Sequence, residues 1–177
     1  MPANLDQLLS LIDAAYDRKS WHGTNLRGSI RGLSVRQAKW RPSAKRHNIW
    51  ELVVHAAYWK YTALRRLTGA PRGSFPLKGS NWFVRGNTLD ERAGAFAAQG
   101  DTLAERAWRA DVAMLDRTHR SLRAAVARLS SSELKKTPAG SKVSNFALLS
   151  GLAAHDLYHA GQIQLLKRLF LDRRNRP

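Results

Sequence analysis

Residues 144–171 read SNFALLSGLAAHDLYHAGQIQLLKRLFL. Ser144 is a typical helix N-cap residue. After it, leucines recur at intervals of three and four residues, interrupted by two histidines and a glutamine on the same spacing, which predicts one long helix. The positions on this spacing form a stripe, and we expect the stripe to face the protein core. Its members are Leu148, Leu152, His155, His159, Gln162, Leu166 and Leu169.

Two histidines interrupt this otherwise apolar stripe. A buried polar group without a partner costs about 1–3 kcal/mol, so a buried imidazole needs one. A step of four residues returns to the same helix face about 6 Å further along, so His155 and His159 could grip one ion. Histidines at this spacing are more often packed or exposed than ligated, but their place on the stripe favours a metal site. A third ligand would have to come from another helix.

Three further segments show helical periodicity, each opened by a capping signal. The first runs from Asn4 to about Lys19, the second from Asn48 to about Gly69, and the third from Thr102 to Leu129. Together with the fourth, after Ser144, they predict an all-α fold, a four-helix bundle with two long connecting loops, in a single domain over residues 1–177.

The two long connections span about residues 21–47 and 71–101, and a shorter one spans about 130–142. They carry more large aromatic residues than simple linkers need, so we expect them to fold over the bundle, across the mouth of a site. These residues are Trp21, Trp40, Phe75, Trp82 and Phe83.

The amino-acid composition limits the kinds of functional site that the chain can form. The chain has no cysteine, which excludes disulfides, iron–sulfur clusters and thiolate metal sites, and leaves histidine and carboxylates as ligands. Any thiol chemistry would need an external thiol. The N-terminus lacks the pattern of a signal peptide, and there is no apolar run of 18 residues, so we expect a cytoplasmic protein without a membrane partner.

The formal net charge is +17, from 30 lysines and arginines against 13 acidic residues. A net charge of this size produces a positive electrostatic field around the protein. This field attracts nucleic acid, anionic membranes and acidic small molecules without distinguishing among them. The basic residues are dispersed, with no run of five, and no known nucleic-acid reader motif occurs. A nucleic-acid-binding helical module therefore remains an alternative that we do not favour.

Spacing alone leaves two candidates for the third metal ligand. His55 borders the core-facing side of the second helix, and His119 replaces an apolar residue on the stripe of the third. Glu51 lies one turn before His55, where it could orient the imidazole. Its simpler role is to complete a capping box with Asn48.

Two segments resemble a known family. Residues 155–163, HDLYHAGQI, resemble the C-terminal signature of DinB-like (YfiT/DinB superfamily) metal-binding four-helix bundles, and residues 48–57, NIWELVVHAA, are similar to the family's second-helix motif. Trp21-His22-Gly23 also matches a familiar position. The resemblance implies that the metal ligands are His55, His155 and His159. His119 matches no ligand position and is interpreted as a core or pocket residue.

The resemblance implies a homodimeric, divalent-metal-dependent enzyme, either a hydrolase or a small-thiol-dependent transferase. Its substrate would be a small molecule, and anionic molecules are among the candidates. Three imidazoles leave a coordination position open, as a catalytic site requires. Zinc is the first choice because it is the most available, and nickel, iron and manganese also accept imidazole ligands. A bundle that binds metal without turnover is the other alternative.

No general base can be identified from the sequence. Glu51, Gln162 and His119 are weak catalytic candidates, since each lies near a predicted ligand or on a core-facing stripe. Asp156 and His22 could also act as bases, although Asp156, beside His155, is expected to point away from the ion.

Overall fold

The computed structural model describes residues 5–86 and 102–173, and within these ranges the only regular elements are helices. Four are long: α1 (Leu5–Tyr16), α4 (Ile49–Thr68), α5 (Leu103–Val126) and α7 (Asn145–Asp172). Three short helices lie in the connections: α2 (Leu26–Ser29), α3 (Val35–Lys39) and α6 (Ser131–Lys135). The prediction of an all-α fold is confirmed, and the long helices match the four predicted segments.

The helix ends form where the capping residues predict them. Thr102 and Glu105 form a capping box, and the Ser144 hydroxyl accepts a hydrogen bond from a backbone N–H of the first turn of α7. Gly69 ends α4 in the left-handed conformation, with a φ of 69° that favours glycine. The predicted cap Asn4 lies outside the described residues.

Helix α4 is central, since it packs against both α5 and α7, and α7 also packs against α1 and α2. The buried apolar residues form two clusters, one around Trp50 and Leu115 and the other around Leu122 and Leu149. Polar side chains lie between them on three helices. We call Lys60, His119 and Asp156 the polar layer.

Every member of the polar layer is buried. Lys60 and Asp156 form an ion pair with side chains only 1% and 2% exposed. Burial raises the pKa of Asp156, and Lys60 opposes this effect. His119 stacks on Tyr16 with ring centroids 3.6 Å apart, and the Tyr16 hydroxyl donates to Asp116. The core thus has a polar middle, which is consistent with a molecule that carries chemistry inside its bundle.

The predicted register of α7 is wrong by about one position. The residues that face the core are Asn145, Leu149, Leu152, Ala153, Asp156, His159, Ala160, Ile163, Leu166 and Phe170. Of the predicted stripe, Leu148, His155 and Gln162 are only half-buried, and Leu169 is exposed. The outward face of α7 is also uncharged from Phe146 to Leu165, so apolar periodicity could not distinguish the two faces.

Most of the aromatic residues in the connections do fold over the bundle. Phe83 is buried, Phe75 packs on Tyr58, and Trp40 meets Phe170 edge-on. The prediction is wrong for Trp21, whose side chain is 99% exposed. Among the described helices none is both long enough and apolar enough to cross a membrane.

Candidate metal centre

Helices α4 and α7 bring three histidines together. His55 comes from α4, and His155 and His159 come from consecutive turns of α7. The Nε2 atom of His155 lies 3.0 Å from that of His55 and 3.0 Å from that of His159. Because α4 and α7 pack directly on each other, two residues one turn apart on α7 face a single position on α4.

The partners of two of these rings fix their tautomers. The Nδ1–H of His55 donates to the backbone carbonyl of Asn81 at 2.8 Å, and that of His159 donates to Gln162 Oε1 at 2.7 Å. The Gln162 amide in turn donates to the Tyr158 hydroxyl, which sets the orientation of the amide. Both histidines therefore direct an Nε2 lone pair toward His155.

The third ring cannot satisfy both lone pairs by itself. A neutral imidazole carries one N–H, so His155 Nε2 can donate to only one neighbour, and its buried Nδ1 has no hydrogen-bond partner within the described ranges. Four-coordinate zinc with Zn–N bonds of about 2.0–2.1 Å places its nitrogens about 3.3–3.4 Å apart. The two separations of 3.0 Å are close to this value, and the ligand atoms of all three histidines lie within 4.8 Å of one another, so the group could hold a divalent metal ion.

The electrostatics also favour neutral, ligating imidazoles. Burial lowers the pKa of His155 to about 3, with smaller contributions from His159, His55 and Lys60. Burial lowers the pKa of His159 to about 4, although its hydrogen bond to Gln162 opposes the effect. Burial likewise lowers the pKa of His55. Metal ions bind the neutral form, so no proton has to be displaced from these rings near neutral pH.

Aromatic rings enclose the α4 side of the site. Trp82 lies between two imidazoles, with its ring 3.8 Å from that of His55 and 3.7 Å from that of His47. Asn81 adopts a left-handed conformation, with φ 65°, and its side-chain oxygen accepts from Trp59 Nε1 at 3.0 Å. This turn presents the Asn81 carbonyl to His55 and the Trp82 ring to the same imidazole.

A cavity of about 660 Å³ opens beside the histidines, and we call it the metal-side cavity. His159 and Gln162 line it next to the ligand group, and Arg46 and His47 line it on the side of the first connection. Most of the remaining wall is apolar: Pro42, Leu52, Trp82, Tyr158, Leu165, Leu166 and Leu169. This volume and character are typical of a small-molecule site.

Glu51 has a different role from both predicted ones. The backbone N–H of Glu51 donates to the Asn48 side chain. The Glu51 carboxylate accepts hydrogen bonds from the Arg41 guanidinium and from the backbone N–H of Arg85, and it lies within hydrogen-bond distance of His47 Nδ1. The carboxylate therefore neither completes a capping box nor orients His55. Burial acts to raise the pKa of Glu51, yet these hydrogen bonds outweigh it and hold the pKa below its usual value.

Of the other candidate residues, only Gln162 contacts the group of three histidines within the described part of the chain. Gln162 contacts His159 and lines the metal-side cavity, whereas His119 is in the polar layer, outside the group of three histidines. Asp156 points away from the ligands, as expected, although toward Lys60 inside the core rather than toward solvent. His22 is exposed in the first connection, outside the ligand group.

Two residues of the site, His47 and Asn81, were not found from the sequence. His47 is four residues before Glu51, but that spacing indicates a contact only once the start of α4 is known. Asn81 contacts His55 across 26 positions in the chain, and nothing in the local sequence indicates this contact. Trp82 was predicted to cover the site, but not to stack on His55.

The family comparison agrees with this geometry. A family model described as the DinB superfamily matches residues 19–163, which include all three histidines. No curated protein and no solved structure matches the chain.

Proposed function

The chain belongs to the DinB superfamily, and from this premise we propose that it is a divalent-metal-dependent enzyme, a hydrolase or a small-thiol-dependent transferase. The convergence of three Nε2 atoms beside the metal-side cavity supports the proposal most strongly. Three protein ligands leave room for a fourth, which is typical of catalytic rather than structural centres.

The ligands would be His55, His155 and His159, and zinc is the proposed metal, with nickel, iron and manganese as alternatives. When bound, the ion would supply Lewis-acid chemistry and lower the pKa of a coordinated water or external thiol. The protein holds the imidazoles neutral and oriented, through the Asn81 carbonyl and the Gln162 amide.

The metal-side cavity favours a small substrate with an apolar body and an anionic group. Its wall is mainly aliphatic and aromatic, which suits an apolar body. Arg46 contributes a guanidinium with no partner among residues 5–86 and 102–173, which suits a carboxylate or another anion. The +17 net charge would add a general attraction for such a molecule.

His47 is the proposed proton carrier, and Glu51 orients it. The imidazole of His47 lines the metal-side cavity, and its Nδ1 lies 2.9 Å from the Glu51 carboxylate. A carboxylate so placed holds the ring in one tautomer and one orientation. Gln162 would hydrogen-bond a group beside His159, whereas the buried position of His119 supports a structural role.

We also propose that two copies pair along the outward face of α7. The exposed residues of this face are small or apolar over about five turns, including Ala147, Gly151, Ala154, Tyr158 and Leu165. In a chain with 30 basic residues, an uncharged face is where two copies repel each other least. Tyr158 and Leu165 also line the metal-side cavity, so a second copy would border the substrate.

Metal analysis tests the centre itself. We expect about one divalent ion per chain in the wild type, and a large loss of metal in His159→Ala. His22→Ala is the matched control, since His22 is exposed outside the ligand group and should keep its metal. Equal metal content in wild type and His159→Ala would contradict the proposal.

Activity assays separate the reaction classes. The metal-loaded protein is assayed with ester and amide substrates bearing an anionic group, each with and without a panel of low-molecular-weight thiols. Turnover that needs a thiol indicates a transferase, and turnover without one indicates a hydrolase. Stoichiometric metal without any turnover across the panel would instead support a bundle that binds metal without catalysis.

A further inference from the structure

A second cavity lies on the other side of the Gly79–Trp82 segment, and we call it the basic cavity. It has a volume of about 580 Å³ and lies between the outward face of α4 and residues 72–80 of the following connection. It shares no lining residue with the metal-side cavity. Four cationic side chains line it, Arg65, Arg66, Arg72 and Lys78, and no acidic residue does.

These four charges are not neutralised within the described part of the chain. None of them pairs with a carboxylate there, and the buried Nε of Arg66 has no hydrogen-bond partner. Arg65 and Arg66 are in the last turn of α4, where basic residues complement the helix dipole. That role does not explain Arg72 and Lys78, which approach the same space from the connection.

Aromatic contacts hold the two walls of the basic cavity together. The Phe75 ring lies 5.3 Å from the rings of both Tyr58 and Tyr61, and Ser74 donates a hydrogen bond to the Tyr61 hydroxyl. Phe75 also packs against buried Phe83. The cations of residues 72–78 are therefore attached to α4 by a packed cluster rather than carried on a free loop.

We propose that the basic cavity binds a small aromatic molecule that carries a phosphate monoester, such as a nucleoside monophosphate. Four cations that pair with no carboxylate of residues 5–86 and 102–173 suit a dianionic phosphate better than a single carboxylate. The rings of Trp59 and Tyr61 line the same space and offer faces on which a planar ring can stack. A volume of this size holds one ring and one phosphate, which favours a small molecule over a nucleic-acid strand.

The basic cavity lies near the three histidines but is separate from them. Trp59 lines the cavity, and its ring centroid lies 6.3 Å from that of His55 and 6.4 Å from that of His155. The binding itself does not depend on the metal, because no metal ligand lines the basic cavity.

Calorimetric titration of the full-length protein tests the proposal with AMP, adenosine, inorganic phosphate and phenylphosphonate as probes. We expect AMP to bind about tenfold or more tightly than either phosphate or adenosine. Phenylphosphonate carries an aromatic ring and a dianionic phosphorus group but lacks the ribose and the ester oxygen. If it binds as tightly as AMP, an aromatic ring beside the dianion is sufficient for binding; if it binds as weakly as phosphate, the cavity recognises the nucleotide itself.

Variants locate the binding. Arg72→Ala and Lys78→Ala should each weaken AMP binding about tenfold. Arg117→Ala, an exposed arginine of α5, removes the same charge and should change the affinity less than twofold. AMP should also bind His159→Ala with unchanged affinity, which separates this site from the metal centre.

Three results in the titrations with AMP would overturn the proposal. They are equal affinities for AMP and phosphate, equal losses in Arg72→Ala and Arg117→Ala, and loss of AMP binding in His159→Ala. Tight binding of a single-stranded oligonucleotide without binding of AMP would overturn it in favour of nucleic acid.

Discussion

The indole of Trp82 lies flat on the imidazole of His55, with centroids 3.8 Å apart and planes inclined by 9°. The opposite face of the indole stacks on His47, so one ring joins a proposed metal ligand to the proposed proton carrier. Trp82 reaches this place because the preceding residue, Asn81, turns the chain in a left-handed conformation. Residues of the connection between α4 and α5 thus set the position of the His55 ring on α4.

Trp82→Ala should weaken metal binding by about tenfold. The change removes the ring that limits rotation of His55 and admits water beside it, while the three ligands themselves remain. Competitive titration with a metal-sensitive chelator dye measures the effect. Trp21→Ala is the matched control, because Trp21 is 99% exposed, and it should bind metal as the wild type does.

Gln162→Leu should lower metal affinity by about 10–100-fold, whereas Gln162→Glu should retain most of it. The glutamine oxygen accepts the Nδ1–H of His159, and glutamate keeps that acceptor while leucine loses it. Gln164→Leu provides a control two residues away, because Gln164 contacts Thr24 rather than a ligand. If Gln162→Leu and Gln164→Leu bound metal equally well, the hydrogen bond would have no part in the site.

The helices and the placement of His155 and His159 on one face of α7 could be predicted from spacing, and the resemblance to DinB-like proteins grouped His55 with them. The core-facing side of α7 could not be predicted. Helix caps act within three or four residues, so Asn48, Thr102 and Ser144 indicated the helix starts directly. The core-facing side of α7 depends instead on Lys60, which pairs with Asp156 across 96 positions. Without that partner, a carboxylate is expected to face solvent, and the predicted register therefore shifted by one residue.

Removal of either member of the buried ion pair should destabilise the protein by about 3–5 kcal/mol. Lys60→Met leaves the Asp156 carboxylate unpaired, and Asp156→Leu leaves the Lys60 ammonium unpaired, each inside the bundle. Urea unfolding of the metal-free protein measures both. The double variant should lose much less than the sum of the two, since it leaves no unpaired charge.

The ion pair between Asp13 and Arg123 is more exposed to solvent and serves as the comparison for the buried pair. Its arginine side chain is 41% exposed, so Asp13→Ala should cost about 1 kcal/mol or less. Additive losses at Lys60 and Asp156, or losses as small as that at Asp13, would indicate that the two buried groups do not interact.

His119→Phe should reduce the acid sensitivity of the metal-free protein. Burial lowers the pKa of His119 to about 3 in the folded state, against about 6.5 in the unfolded chain. The neutral ring therefore contributes stability that is fully present above about pH 6.5 and is lost progressively as the pH falls toward 3. Phenylalanine keeps a ring on Tyr16 but does not titrate.

The measurement is the difference in unfolding free energy between pH 7 and pH 4.5. This difference should be about 2 kcal/mol smaller in His119→Phe than in the wild type, because one fewer buried group takes up a proton on unfolding. His22→Phe replaces an exposed histidine and should leave the difference unchanged. Equal acid sensitivity in wild type and His119→Phe would mean that His119 is already accessible to protons when folded.

Ala154→Arg should convert the proposed dimer into a monomer, because it introduces a charge at the middle of the uncharged outward face of α7. Light scattering after size exclusion at about 100 µM measures the mass. Ala124→Arg is the control, because it makes the same change at an exposed position of α5.

Gly161→Ala adds a second, independent readout. A Cβ at Gly161 meets no atom within 4 Å in the single chain, so alanine should stabilise an isolated α7 by about 0.5–1 kcal/mol. If another helix packs on this face, the same change should instead weaken dimerisation. A wild type that is monomeric, with Gly161→Ala more stable, would contradict pairing along α7.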